Sequence, residues 1–355
     1  MTNTGLDNGD TTVLVTGATG FIARHVIAQA LDAGYRVRGT VRKQSSLSVL
    51  TEALAGAVAD PQSLERFSVV EADLLAERGW PEATSGCRFV LHVASPVPTK
   101  APKDPDELIR PALEGTERVL RAALAAGVER FVYTSSVSAV VAGVARSRTF
   151  TPDDWTDLDA KGISAYERAK TLAERAAWRF IESEATGRMD LVVVNPGLVL
   201  GPMIGNDAST SLEAVRKLMA REVPGCPNLC VAPIDVRDVA AVHLAALASP
   251  TAAGQRYFAA RESCVLRDLA LILADYLEPK GFKIATRTIP TWLMRLVSVF
   301  DKTAAMALPD VDNPYQLDHS ATVALLGRPF RPLDEIVRAT ADTLLEYNLV
   351  RPKKR

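Results

Sequence analysis

The first half of the chain alternates short apolar runs with longer segments whose apolar residues recur at helical spacing. Thr12–Val15 is one such run, closed by glycine, and Phe21–Ala33 follows it with Ile22, Val26, Ala30 and Ala33 near one helical face. Tyr35–Val41 alternates instead, with Val37 and Val41 on one side and Arg36 and Arg38 on the other. The pattern predicts further strands at Phe67–Ala72, Phe89–Val93, Arg130–Thr134 and Leu191–Val194, each rich in Val, Phe or Leu and bounded by turn residues. It predicts helices at Leu47–Ala55, Glu107–Ala125 and Ala165–Ser183. Regular strand–helix alternation of this kind means an α/β protein: a doubly wound parallel sheet with helices on both faces. Such sheets bind ligands beyond the carboxyl ends of their strands, where the strand order reverses.

After Asn195 the rhythm breaks. Pro196, Gly197, Gly201, Pro202 and Gly205 crowd together, Pro224, Gly225 and Pro227 follow, and no regular alternation resumes. This segment reads as a smaller C-terminal lobe of mixed α/β structure, with the substrate held between it and the sheet. Asp235–Ala248, with Val239, Val242 and Leu247, reads as a helix that returns to the sheet lobe. The expected organisation is a flexible tail at 1–11, a nucleotide-binding unit at 12–195 plus about 235–257, and a substrate lobe at 196–234 plus about 258–350.

Composition narrows the possibilities. Hydrophobic residues make up 48% and charged residues 23% of 355, which excludes disorder as the main state. Lys+Arg is 41 against 42 Asp+Glu, a balance that argues against a nucleic-acid partner. The opening MTNTGLDNGDT has neither the basic cluster nor the apolar core of a signal peptide, and Arg295, Asp301 and Lys302 interrupt the best candidate span, Ile289–Leu308. The expectation is a soluble, cytoplasmic protein without a membrane partner, monomeric or a homodimer. Cys87, Cys226, Cys230 and Cys264 form no disulfide framework. Cys226 and Cys230, in CPNLC, have half the spacing of a zinc site but no further His or Cys nearby, so free thiols and no metal are expected.

The candidate chemistry begins at Thr16-Gly17-Ala18-Thr19-Gly20-Phe21-Ile22-Ala23, between the first strand and the first helix. Gly17 permits a tight turn, Gly20 lets the backbone approach a phosphate, and Ala23 is small enough for close helix–strand packing. The helix N–H groups then face a pyrophosphate. At the end of the second strand, no acid occurs between Gly34 and Glu52, and Arg42-Lys43 stands where a carboxylate would otherwise hold the ribose hydroxyls of NAD. Two cations there attract a 2′-phosphate, and this favours NADP over NAD; the plainer reading is a solvated basic turn. Asp73, ending the third strand with Leu74 after it, suits the adenine amino group, a helix N-cap, or both.

Thr134-Ser135-Ser136 lies just past the fifth strand, and Tyr166 and Lys170 share one helix face at i, i+4. Reducing a carbonyl requires a hydride for carbon and a proton for oxygen. A phenol titrates near 10, so a neighbouring ammonium would be needed to bring it down. Lys170 is placed to do so and to bond the nicotinamide ribose, while Ser136 donates to the carbonyl oxygen. Ser135 reads as structural.

On these residues the chain resembles extended short-chain dehydrogenase/reductases of the Rossmann type. It is similar to the subgroup of dihydroflavonol 4-reductases, cinnamoyl-CoA reductases and yeast-type methylglyoxal and ketone reductases, from TGATGFIA to about Leu345. The resemblance implies NADP(H) as cofactor and reduction of a ketone or aldehyde. It implies cofactor contacts at Gly17, Thr19, Gly20, Phe21, Ile22, Arg42, Lys43, Asp73, Leu74 and Thr134, and in LHVASPV at Val93, Ala94 and Ser95, the last two bordering the nicotinamide ribose. In VVNPGLVLGP, Pro196, Gly197, Leu198 and Val199 surround the carboxamide, and Ser136, Tyr166 and Lys170 form the catalytic set. Val97, Val137 and Val141 would make the substrate pocket apolar. Two departures matter: Val137-Ser138-Ala139-Val140-Val141 lacks the polar residue with which plant dihydroflavonol reductases read flavonoid hydroxyls, and the Trp/Cys/Tyr-rich signature of cinnamoyl-CoA reductases is missing before Lys170. Neither plant substrate is therefore assumed. Pro290–Asp301, with Trp292, Arg295 and Phe300, reads as a helix packed on the second lobe, with lining of the substrate cleft as the alternative. Competing functions are an NAD-retaining sugar-nucleotide epimerase or dehydratase, a 3β-hydroxysteroid dehydrogenase, and a non-catalytic NADP sensor. Arg42 and the segment RPALEGT weigh against the first, and the Tyr166–Lys170 pair weighs against the last.

Overall fold

Val13 and Val15 point to one face of the first strand and Leu14 to the other, and all three are fully buried. A strand covered on both sides needs helices above and below it, and the rest of the chain supplies them. The structure, a computed structural model, describes residues 8–95, 104–206, 210–300 and 302–352. Along it run β1 (Thr12–Val15), α1 (Phe21–Asp32), β2 (Arg36–Val41), α2 (Leu47–Ala55), β3 (Phe67–Glu71), β4 (Phe89–His92), α3 (Asp106–Ala125), β5 (Arg130–Thr134), α4 (Ala165–Phe180), β6 (Asp190–Pro196), α5 (Val236–Ala248) and β7 (Arg256–Ala259). The strands form one parallel sheet in the order β3-β2-β1-β4-β5-β6-β7. The order reverses between β1 and β4, so a crevice opens there at the carboxyl ends.

Each face has its own core. On one, Val13, Val15, Leu91, Val132 and Val194 meet α1 and α5; on the other, Leu14, Val90, Phe131 and Leu191 meet Val119 and Leu120 of α3 and the alanine stripe Ala169, Ala173, Ala177 of α4. Those alanines let α4 lie close to α3, and this brings the helix start over the strand ends. The predicted strands lie within two residues of the observed ends. The predicted helix Ala165–Ser183 is α-helical only to Phe180, after which Ile181–Ala185 unwinds into one π-turn. The sequence pattern does not reveal β7, a four-residue edge strand beyond α5.

The rest of the chain builds the mixed lobe around α6 (Leu266–Leu277) and α7 (Leu333–Glu346), with short strand pairs such as Leu198–Leu200 with Pro233–Asp235. Polar latches brace it and tie it to α1 and α5. Thr340, Thr343 and Tyr347 accept hydrogen bonds from the backbone N–H of Gly201, Met203 and Gly205 at 2.7, 3.1 and 3.2 Å. From α1, His25 bonds the Pro202 carbonyl at 2.8 Å, and Arg24 reaches the Ile204 carbonyl at 2.5 Å. The buried Asp238 of α5 holds Arg328 and the side chain and backbone of Arg331. The two ends of CPNLC belong to different strand pairs, with Cys226 beside Thr288 and Cys230 beside Val265; all four cysteines are free thiols. Among the described residues, no helix is long and apolar enough to cross a membrane, and no group of three or more His, Cys, Asp or Glu is placed to hold a metal.

Candidate active site

The β1–α1 turn is set by contacts that only glycine tolerates. Gly17 has φ +69°, and a Cβ there would lie 3.0 Å from the Cβ of Ala94. Its N–H donates to Thr40 Oγ1 at 2.9 Å, and Ala18 N–H donates to the Thr40 carbonyl at the same distance, so the loop is sewn to β2. On the other side Thr16 Oγ1 accepts from Ala94 N–H at 3.0 Å and lies 2.9 Å from His92 Nδ1. Gly20 is the N-cap of α1 with no side-chain cap, so the first N–H groups of the helix lack intrahelical partners and face the crevice. Arg24 Nε holds the Thr19 carbonyl at 3.0 Å from below.

A cleft of about 1100 Å³ runs from this loop across the strand ends. Gly17, Thr19, Gly20, Phe21, Ile22, Arg42, Asp73, Leu74, Val93, Ala94, Ser95, Thr134, Ser136, Tyr166, Lys170, Pro196, Gly197 and Val199 all line it. Lys43 and Leu198 do not. Lys43 is exposed beside Arg42, and neither side chain has a hydrogen bond or ion pair among the described residues. Leu198 instead packs half-buried against the hydrophobic core, its backbone N–H bonded to the Ala232 carbonyl at 2.8 Å. The neighbouring Gly197 has no room for a side chain, since a Cβ would sit 2.1 Å from the Ala232 carbonyl. Asp73 Oδ1 accepts from Leu75 N–H at 2.9 Å, which makes a local turn; no helix starts there, so the N-cap alternative is corrected to a turn.

Val137 and Val141 are corrected too. They do not border the cleft but are buried against Phe150, Phe258 and Leu317 in a small core of their own. Val97 lies outside the described residues. Trp292, Leu296 and Phe300, on and just past the helix Thr291–Ser298, are solvent-exposed and border no part of the cleft; that helix buries no residue, so neither reading of Pro290–Asp301 matches it.

Ser136, Tyr166 and Lys170 meet at the far end of the cleft. A capping box fixes the start of α4: Ser164 Oγ accepts from Glu167 N–H at 3.2 Å, and Glu167 Oε2 accepts from Ser164 N–H at 2.6 Å. Tyr166 and Lys170 follow one turn apart, Tyr166 half-buried and Lys170 buried. Tyr166 and Ser136 face the same end of the cleft, and Ser136 Oγ accepts from Ser138 N–H at 3.1 Å. Lys170 Nζ donates to the Thr134 carbonyl at 3.4 Å. Burial pushes the Tyr166 phenol above its usual value and the neighbouring Ser136 pulls the other way, whereas burial lowers Lys170 to about 8 against the pull of Glu174. The expected lowering of Tyr166 by Lys170 is therefore not what governs the cleft; desolvation is.

The NAD dependent epimerase/dehydratase family matches residues 13–260, all but the first residue of the sheet and the whole of its cleft lining. The chain belongs to this family. Within it, the chain is 36% identical to cinnamoyl-CoA reductase 1 of Petunia hybrida, over 94% of this chain and 92% of that protein. It is 35% identical to dihydroflavonol 4-reductase of Zea mays, over 74% of each. Among solved structures, that of yeast methylglyoxal/isovaleraldehyde reductase Gre2 complexed with NADPH has a TM-score of 0.77 at 28% identity, covering 95% of this chain and 99% of that one. These relatives place this family member on the reductase side of the family.

Sequence reasoning missed a buried polar cluster behind the site in this reductase-type member. Glu174 accepts from Ser135, Asn195 and Arg256, three residues brought together only by the sheet. One half of the signal was visible: Glu174 continues the Tyr166–Lys170 face at i+8 and i+4. Its partners, 39, 21 and 82 residues away, carry no local pattern. The capping box is local and legible in the sequence as Ser164-x-x-Glu167.

Proposed function

We propose that the protein reduces a ketone or aldehyde to the alcohol with NADPH, Tyr166 donating the proton, Ser136 polarising the carbonyl oxygen and Lys170 holding the nicotinamide ribose. The observation that carries this reading is that Ser136, Tyr166 and, one helical turn on, Lys170 line the same cleft as the glycine loop. The residues present fit the cofactor: a side-chain-free turn at Gly17, unpartnered helix N–H groups at the start of α1, and a pair of cations at Arg42 and Lys43 without an acid to neutralise them. Bound NADPH supplies the hydride to the carbonyl carbon. The chain supplies the rest. Ser136 donates to the oxygen as negative charge develops, Tyr166 transfers its proton to that oxygen, and Lys170, an ammonium at neutral pH, favours the phenolate left behind. A phenol held above its usual value by burial stays protonated at pH 7, the form a donor in the reductive direction requires.

The test is NADPH oxidation by the purified protein over aryl ketones, α-keto esters, diketones, aldehydes, flavanonols and 3-ketosteroids, with NADH as control. Turnover of at least one carbonyl class with preference for NADPH is expected. Protein that carries tightly held NAD and turns over UDP-sugars instead would overturn the reading. Arg42→Ala is expected to cut the NADPH-over-NADH ratio of kcat/KM by about 10- to 100-fold, the loss of one or two charge-assisted bonds to phosphate. An unchanged ratio would remove Arg42 from cofactor selection.

A further inference from the structure

Glu174 has no exposed surface, yet it bears a carboxylate in the middle of the helix that presents Tyr166 and Lys170. Donors from three neighbouring strands converge on it: Ser135 Oγ past β5, Asn195 Nδ2 in β6 at 2.9 Å, and Arg256 Nε at the start of β7 at 2.6 Å. The same Asn195 nitrogen donates to the backbone carbonyl of Ser136 at 3.1 Å. Arg256 is itself fixed, donating to the carbonyls of Pro152 and Asp154 and lying 4.1 Å over the ring of Trp155. One carboxylate thus joins the peptide that carries Ser136 to the helix that carries the other two groups. A buried ion pair is a weak source of net stability, because desolvation offsets its attraction, and apolar side chains would fill the same space.

We propose that Glu174 is a positioning residue for the reduction, holding the Ser136 peptide and α4 in the mutual register that brings Ser136, Tyr166 and Lys170 together. The proposal rests on the reductase reading above. Among the described residues, Glu174 also supplies the one negative charge that raises Lys170. Lys170 is faced by Glu174 and Tyr166 from its own helix and by His92 from β4, and Glu174 by Arg256 from β7 and Tyr133 from β5. His92 is neutral near pH 7, burial having lowered it to about 3.

The experiment is Glu174→Gln, which keeps the shape and removes the charge. It is expected to lower kcat about 10- to 100-fold, as small misplacements of reacting groups do. NADPH affinity stays within about threefold, the cofactor contacts being made by other residues. The Lys170 13Cε signal, followed by NMR against pH, is expected to titrate about one unit lower once the neighbouring carboxylate is gone. A variant with wild-type kcat and an unmoved Lys170 midpoint, even one of reduced thermal stability, would overturn the proposal. Glu174→Gln/Arg256→Gln guards against a stranded arginine; the same losses are expected, and their absence overturns the proposal equally. Asn195→Ala leaves the ion pair intact and is expected to cost about 5- to 10-fold in kcat, one hydrogen bond's worth, without moving Lys170. Undiminished kcat there would break the link to Ser136. The NMR titration needs no turnover, so a wild-type protein inactive on every carbonyl would defeat the functional reading while Lys170 still reported on Glu174.

Discussion

Tyr166→Phe is expected to abolish carbonyl reduction, lowering kcat by about 10³-fold or more, while NADPH binds nearly as tightly as to wild type. The variant keeps the ring and loses only the hydroxyl, so the packing of α4 on α3 is preserved and the loss falls on proton transfer alone. Ser136 remains to orient the carbonyl, and Lys170 keeps its bond to the Thr134 carbonyl. Steady-state NADPH oxidation beside a fluorescence titration of NADPH separates the two quantities. Near-wild-type turnover would remove Tyr166 as the acid.

The second large effect is on stability. Acidification from pH 6.5 to about 4.5 is expected to unfold the protein, because three of its four histidines are buried and held neutral. Burial lowers His25 and His243 to about 4 and His92 to about 3. In the unfolded chain each titrates near 6.5, so below that value the unfolded state binds protons that the folded state refuses. Stability is therefore complete above about pH 6.5 and is lost as pH falls towards the folded values. With nearly three protons involved, the steepest slope is about 4 kcal/mol per pH unit, enough over two units to consume a typical folding free energy. The wiring makes the sign plain. His243 Nδ1 faces the Val239 carbonyl at 2.8 Å, so its Nε2 accepts from Thr134 Oγ1 at 2.7 Å, a bond that a protonated ring cannot accept. Urea unfolding midpoints between pH 7 and 4.5 measure the slope, and a flat profile would contradict it.

What the sequence discloses depends on how local each signal is. The glycine turn, the strand before it and the helix after it lie within Thr12–Asp32, and their order alone points to a candidate phosphate site. Tyr166 and Lys170 are legible as a pair because one helical turn separates them, and Ser136 because it lies two residues past an apolar strand. Arg42 is legible through what is missing around it, an acid. Val137 and Val141 mislead because an apolar residue beside a candidate catalytic serine reads equally as pocket wall or as core; Phe150, Phe258 and Leu317, distant in sequence, decide for core. The upward push on Tyr166 is hidden for a related reason: the helix shows the ammonium nearby, whereas the desolvation comes from the whole fold. The same non-local assembly hides Glu174, whose role depends on three strands being adjacent.

The most direct test is a structure of the protein with NADP⁺ bound. The account predicts the 2′-phosphate within hydrogen-bonding distance of Arg42, the pyrophosphate on the N–H groups that open α1, and the nicotinamide ring beside the Tyr166 hydroxyl with Lys170 on its ribose. A nicotinamide far from Tyr166, or an adenosine phosphate that Arg42 and Lys43 do not touch, would contradict it.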